Sequence, residues 1–211
     1  RRSGSGTNNM RSNWKEVPVS VNKVLRYLDK ASESSWRAGK TWYQRASRKA
    51  LFIARDVFML HEQVSGVIAA LSPGCSWERN VLEARAMVSG DDSIKYTTYG
   101  PNVTKAREIV AGAHPLEVLG GNKVLSFYKL FMDPSDPYTV VVDRHAVRAA
   151  CVFSFESDVQ AGKFLRSQYQ RCADAYREAA SRYNILPHQA QAIVWEHFRK
   201  SHERRWGVEQ S

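Results

Sequence analysis

The chain has no run of about 18 apolar residues, the length that a membrane-crossing helix needs, and its first residues lack the apolar core of a secretory signal peptide. The expectation is therefore a protein without membrane contact, placed in the cytoplasm or on the nucleoid. Cysteine is scarce. Cys75, Cys151 and Cys172 stand far apart with no C-x-x-C pair, which excludes a disulfide framework and a four-thiolate cluster and leaves them as small apolar core residues. His197 and His202 are five apart, on different faces of a helix, and with Glu196 and Glu203 they complete no zinc spacing, so no metal is expected. No internal repeat is visible. Residues 140–142, three valines, form a short β-branched run with no second run to pair with, so they are expected to be an extended lead into a helix rather than part of a sheet. Negative charge is in short supply: 21 Asp and Glu face 31 Lys and Arg, a formal net charge of +10. Such an excess favours a polyanionic partner through release of counterions from phosphates.

What remains is helical. With 211 residues and 43% hydrophobic composition the chain can bury a substantial core, and residues 17–211 are expected to form one all-α domain of two lobes with a cleft between them. Residues 1–16 are rich in Gly, Ser, Asn and Arg, with almost nothing to bury, and are expected to be a flexible basic arm. Val21, Val24, Leu25 and Leu28 recur at helical spacing, and Trp42, Ala46, Ala50, Ile53, Ala54, Val57 and Phe58 do so over a longer helix. Pro73 and Gly74 stop an apolar helix after Leu71, and Ser76 caps the next, over residues 77–88. A short helix is expected over residues 104–111, and two more over 159–183 and 190–205.

Between them lies the stretch that points to chemistry. Gly120 and Gly121 open a basic helix through Asn122 and Lys123, a loop punctuated by Pro134 and Pro137 follows, and the valine run ends at Asp143. Successive backbone N–H groups of a glycine turn at a helix start form a concave anion site, so Gly120, Gly121 and Asn122 can grip a phosphate. A lysine amine whose pKa is lowered by burial or by neighbouring cations is a nucleophile able to form a Schiff base. A carboxylate beside a sugar stabilises the positive charge that develops when its base departs.

The order of these motifs resembles the helix-hairpin-helix DNA glycosylases of the endonuclease III superfamily. The segment V-I-A-A-L-S from Val67 to Ser72 with Asn80, the T-K-A-R-E-I run from Thr104, the L-G-G-N-K-V run from Leu119 and the V-D-R-H-A-V-R run from Val142 carry the resemblance, over residues 64–151. The hairpin is two residues shorter than the family's L-P-G-x-G-x-K and lacks its proline, and the cysteine-rich tail that holds an iron–sulfur cluster in some members is missing, so no cofactor is expected. These departures suit a distant branch, such as the helical base-modifying proteins of phage DNA hypermodification.

The resemblance implies an enzyme that binds duplex DNA as a monomer, flips one nucleotide and cleaves its N-glycosidic bond, with Asp143 and Lys123 catalytic and a lyase activity if Lys123 forms the covalent adduct. It implies DNA contacts from Lys105, Gly120, Gly121, Asn122, Arg144, His145 and Arg148. Trp77, Tyr128, Tyr138 and Trp195 are the aromatic candidates for a flipped-base pocket. Plainer roles compete with each of these. Asp143 is also a favoured helix N-cap, Lys123 a phosphate contact and His145 a structural histidine, while His188, Gln189, Gln191 and Trp195 on the last helices either hold a flipped base or pack the core with their polar groups outward. Two other functions fit the same chain: a non-catalytic DNA-binding or base-modifying module on this fold, and a scaffold or virion-associated protein.

Overall fold

The computed structural model describes residues 17–152 and 158–205, with side chains placed in 17–152 and 164–199. Among the described residues the chain forms eleven helices and no sheet, the isolated bridge between Val19 and Cys151 being the one β-type pairing. The fold is all-α.

Two hydrophobic cores organise it. The first gathers α3 (Trp42–Asp56), α4 (His61–Leu71), α5 (Trp77–Val88), α6 (Gly100–Val110) and α8 (Asn122–Met132). The second gathers α1 (Val21–Lys30), α9 (Arg144–Ala150), α10 (Asp158–Arg182) and α11 (Pro187–Arg205). Helix α4 is the axis of the first, because every residue from Val64 to Leu71 is buried, as expected of a segment apolar on all sides. The short helices α2 (Glu33–Lys40) and α7 (Pro115–Val118) fill the flanks. Helix α2 lies so close to α11 that a Cβ on Gly39 would sit 2.4 Å from the Ile193 nitrogen, so only glycine permits this packing.

The seam between the cores is built by a two-residue period. Val140 and Val142 insert into the second core, while Val141 between them inserts into the first, as alternating side chains of extended backbone must. Helix α11 does the same with its own period: Ala192 faces the first core, and Ala190, Ile193 and Val194 face the second. The valine run is thus fully buried and extended without any partner strand.

One side chain takes the place of that strand at two of the run's backbone groups. The Val142 N–H donates to the Tyr169 hydroxyl at 3.1 Å, and that hydroxyl donates to the Val140 carbonyl at 2.8 Å. Ser126 of α8 lies 3.2 Å from the same hydroxyl. Tyr169 therefore ties α10, α8 and the valine run at one point, and the residue that follows the run is Asp143.

Several boundaries differ from expectation. Helix α6 starts at Gly100, not 104, because Pro101 in its first turn costs no hydrogen bond there and pre-sets the backbone. Helix α11 likewise starts at Pro187 rather than 190. Phe58 does not continue the inward face of α3: it follows the helix end with a φ of 56° and is 97% exposed. The Ser76 cap holds as expected, its hydroxyl accepting from the Arg79 N–H ahead of α5. The arm over residues 1–16 lies outside the described residues.

Candidate active site

A pocket of about 110 Å³ opens on the first-core side of the seam. Three tryptophans wall it. Trp42 is their centre, with its ring centroid 5.1 Å from that of Trp77 and 6.1 Å from that of Trp195, both edge-on. Phe127 stands 5.8 Å from Trp42. Among these aromatic surfaces stand Tyr43, Asn80, Lys123, Asp143 and Gln191.

The position of each polar group follows from its element. Asp143 is the N-cap of α9, where its Oδ1 accepts from the Ala146 N–H at 2.8 Å. Capping engages one carboxylate oxygen and turns the half-buried side chain toward the pocket. Lys123 is the second residue of α8, one turn before Ser126, so the tie through Tyr169 sets its backbone beside the valine run. Lys123 and Asp143, twenty residues apart in sequence, therefore line one small cavity. Burial pushes the Lys123 amine below its ordinary pKa, the Asp143 carboxylate pulls it partly back, and the Arg144 guanidinium adds to the lowering.

The glycine turn stands at the start of the same helix. Gly121 is the N-cap of α8 with a φ of 84°, a backbone that favours glycine. Beside it, the Lys105 ammonium of α6 lies 3.5 Å from where a Cβ on Gly120 would be. The turn, Lys105 and the exposed Asn122 thus present backbone N–H groups and one cation at a helix start.

The other expected site residues divide. Trp77 and Trp195 line the pocket. Tyr128 and Tyr138 do not: Tyr128 is buried in the first core, and Tyr138 is 72% exposed on the loop before the valine run, where the Asp136 carboxylate accepts its N–H. A residue on the inward face of α8 or on a loop held by Asx turns is committed by its backbone, whatever its ring could do. Arg144 is exposed on the first turn of α9, His145 directs its ring toward Phe198 with centroids 6.4 Å apart, and the Arg148 carbonyl accepts from Lys23 at 3.3 Å. Cys75 is half-buried on the pocket wall instead of in a core, whereas Cys151 and Cys172 are buried.

Three aromatic residues of the pocket carry no signal of it in the sequence, Trp42, Tyr43 and Phe127, whereas Gln191, a candidate for holding a flipped base, and Asn80, part of the motif resemblance, both line it. The Tyr43 hydroxyl donates to the Gln191 side-chain oxygen at 3.0 Å, fixing that amide with its nitrogen left to donate elsewhere. Tyr43 in turn packs edge-on against the His188 ring, 5.2 Å away. Asn80 is 2% exposed and its Oδ1 has no hydrogen-bond partner. A buried carbonyl oxygen without a partner at the wall of a cavity is able to accept a hydrogen bond from whatever enters.

Among the described residues no group of three or more His, Cys, Asp and Glu is placed to hold a metal ion, and no helix is long and apolar enough to cross a membrane. The chain belongs to a family of unknown function (DUF7178), whose model matches residues 8–202. No curated protein and no solved structure matches it.

Proposed function

We propose that the protein is a DNA-binding enzyme that draws one nucleotide out of the stack and cleaves its N-glycosidic bond, as the resemblance to helix-hairpin-helix glycosylases implies. The observation that carries this reading is the presence of Lys123 and Asp143 in one aromatic-walled pocket beside a glycine turn. A volume of about 110 Å³ is well below the roughly 300 Å³ at which ligand-sized pockets begin, and suits one flat ring rather than a whole nucleotide.

In this reading the two cores are the two lobes and the seam is their cleft. The base enters against Trp42, Trp77 and Phe127, with Gln191 and Asn80 meeting its polar edge. The C1′–N bond breaks with its electron pair leaving on the base, and the second oxygen of Asp143 faces the positive charge on the sugar. The Lys123 amine, its pKa lowered by burial, adds to the cationic C1′, and one of its protons passes to O4′ as the C1′–O4′ bond opens, leaving an iminium on the opened sugar that leads to strand cleavage. The turn at Gly120 and Gly121 with Lys105 holds a neighbouring phosphate.

Trapping tests it. Duplexes carrying varied damaged or hypermodified bases, incubated with the protein and borohydride, are expected to give an abasic product and a reduced covalent adduct that Lys123→Met abolishes. If the wild type and Asp143→Asn behave alike on every substrate and neither releases a base, the catalytic reading fails. A non-catalytic DNA-binding module is the second reading. It is favoured by one observation, the N-cap bond of Asp143, which gives that residue a structural purpose without any chemistry.

A further inference from the structure

The tryptophan wall has a second side. Trp42, Trp77 and Trp195 also line a groove of about 460 Å³ that runs beside the pocket between α3, α5 and α11. It is four times the pocket's size and within the range of whole-ligand sites. Its rim is basic. Arg45 and Lys49 stand one turn apart on α3, both exposed, and Arg199 of α11 holds its guanidinium 5.7 Å from the Trp195 ring centroid. Two carboxylates also line it, but Glu196 is engaged with Arg199 at 3.0 Å, which leaves Glu78 against the α3 pair.

Flat aromatic faces edged by cations are the chemistry by which proteins hold single-stranded nucleic acid. Bases stack on the rings at about 1–3 kcal/mol each, and the cations follow the backbone phosphates. A paired duplex offers no free base face to such a groove. We infer that the groove seats the nucleotide next to the extruded one, so that the preferred ligand is a single-stranded or locally unpaired stretch of nucleic acid in which two successive bases use opposite sides of one tryptophan wall. This rests on the reading of the smaller chamber as a base pocket, and it names the substrate class of that site.

The experiment is fluorescence-polarisation binding of the full chain to a labelled 12-nucleotide strand, to the same sequence as a duplex and to a mononucleotide, each over a salt series. The single strand is expected to bind at least tenfold tighter than the duplex. Replacing the groove cations together, Arg45→Ala with Lys49→Ala, is expected to weaken it tenfold or more at low salt. The same pair flattens the slope of log affinity against log salt by about 1.4, two phosphates' worth for a single strand. A matched pair of exposed cations on α1, Arg26→Ala with Lys30→Ala, removes the same charge and is expected to leave the slope near the wild-type value. Lys49→Glu, also at an exposed site, provides a second variant whose fold is checked by its thermal melt.

Equal or tighter binding of the duplex overturns the inference, as does an Arg45/Lys49 pair that changes the slope no more than the α1 pair. So does a mononucleotide that binds as tightly as the strand, which would mark the groove as a site for small anions. Strand binding that depends on the groove without any base release would sink the glycosylase reading and leave this one standing. Base release with an unchanged slope would do the reverse.

Discussion

Two carboxylates near the pocket have opposite fates. Glu83 on α5 is completely buried, and its Oε1 accepts from Arg79 at 2.7 Å and from the Thr97 N–H at 2.9 Å, with the Thr97 hydroxyl as a third donor. Asp143 is half-buried and gives one oxygen to a single cap bond while it faces a lysine across a cavity. A carboxylate crowded with protein donors fixes the loop that supplies them. One that lines a pocket next to an amine whose pKa burial lowers is a candidate to act on something that enters.

The largest expected effect separates the two roles of Asp143. Asp143→Asn and Asp143→Ala are both expected to lower base release about 10²–10³-fold, the scale for losing one preorganised electrostatic group. Their stabilities should part, because asparagine is as good an N-cap as aspartate, whereas alanine costs about 1 kcal/mol. Thermal melts run beside single-turnover rates decide this. Equal rates for both variants and the wild type, with only the alanine variant melting lower, would reduce Asp143 to a cap.

Glu83→Ala is the counterpart. It removes three accepted hydrogen bonds and leaves Arg79 without its carboxylate, though that side chain is 40% exposed and keeps its bond to the Lys95 carbonyl at 2.6 Å, for an expected loss of about 2–4 kcal/mol. Denaturant melts measure it. Base release by the folded fraction is expected to stay within about threefold, and a collapse of that rate at unchanged stability would make Glu83 part of the chemistry.

This contrast explains how far the sequence could be read. The Ser76 and Asp143 caps, the extended valine run and the glycine turn are local: each follows from the residues within one turn of it. So Asp143 and Lys123 were visible as candidates by their positions in a motif. Trp42 was visible only as an inward position on a helix, since a 3.6-residue period tells which face is buried and not which helix crosses it. That Phe127 walls the pocket and that Asn80 and Gln191 meet in it depends on the crossing of α5, α8 and α11, which also places Tyr128 in the core, whereas Tyr138 is held on the surface by the Asp136 turn. The seam itself rests on a hydrogen bond between residues 27 apart, Val142 and Tyr169, for which no local signal exists.

A third buried ionisable group extends the comparison to pH. His188 is 1% exposed, its ring nitrogens make no well-formed hydrogen bond, and burial lowers its pKa to about 4 despite the nearby Asp136 carboxylate and the Pro134 backbone carbonyl. The native state thus binds fewer protons than the unfolded chain once pH falls below the ordinary value of 6.5. The stability that goes with the neutral ring is complete above 6.5, declines as pH falls through the window, and is down by about 3 kcal/mol at pH 4, beyond which this contribution is flat. Carboxylates add their own acid loss, so the measurement is a difference: wild type minus His188→Leu, melted from pH 8 to 4. A difference that stays constant over that range would mean the ring is already protonated or hydrated in the fold.

The smallest expected effect tests the tie that places Asp143. Tyr169→Phe keeps the ring and removes the hydroxyl, leaving the Val142 N–H and the Val140 carbonyl buried without a partner, at a cost of roughly 1–2 kcal/mol. A purely structural residue would show that loss in a melt and nothing else. If the hydroxyl positions Asp143 against Lys123, the variant also loses about tenfold in the rate of adduct formation, while its affinity for DNA falls less than about threefold, because Gly120, Gly121, Lys105 and the tryptophans keep their places and the turn loses only a long 3.5 Å contact to the Asn122 carbonyl. The split between rate and affinity is what distinguishes the two outcomes. Equal losses in both would mean that the seam as a whole has loosened, and an unchanged rate would mean that the α9 cap alone is enough to aim the carboxylate.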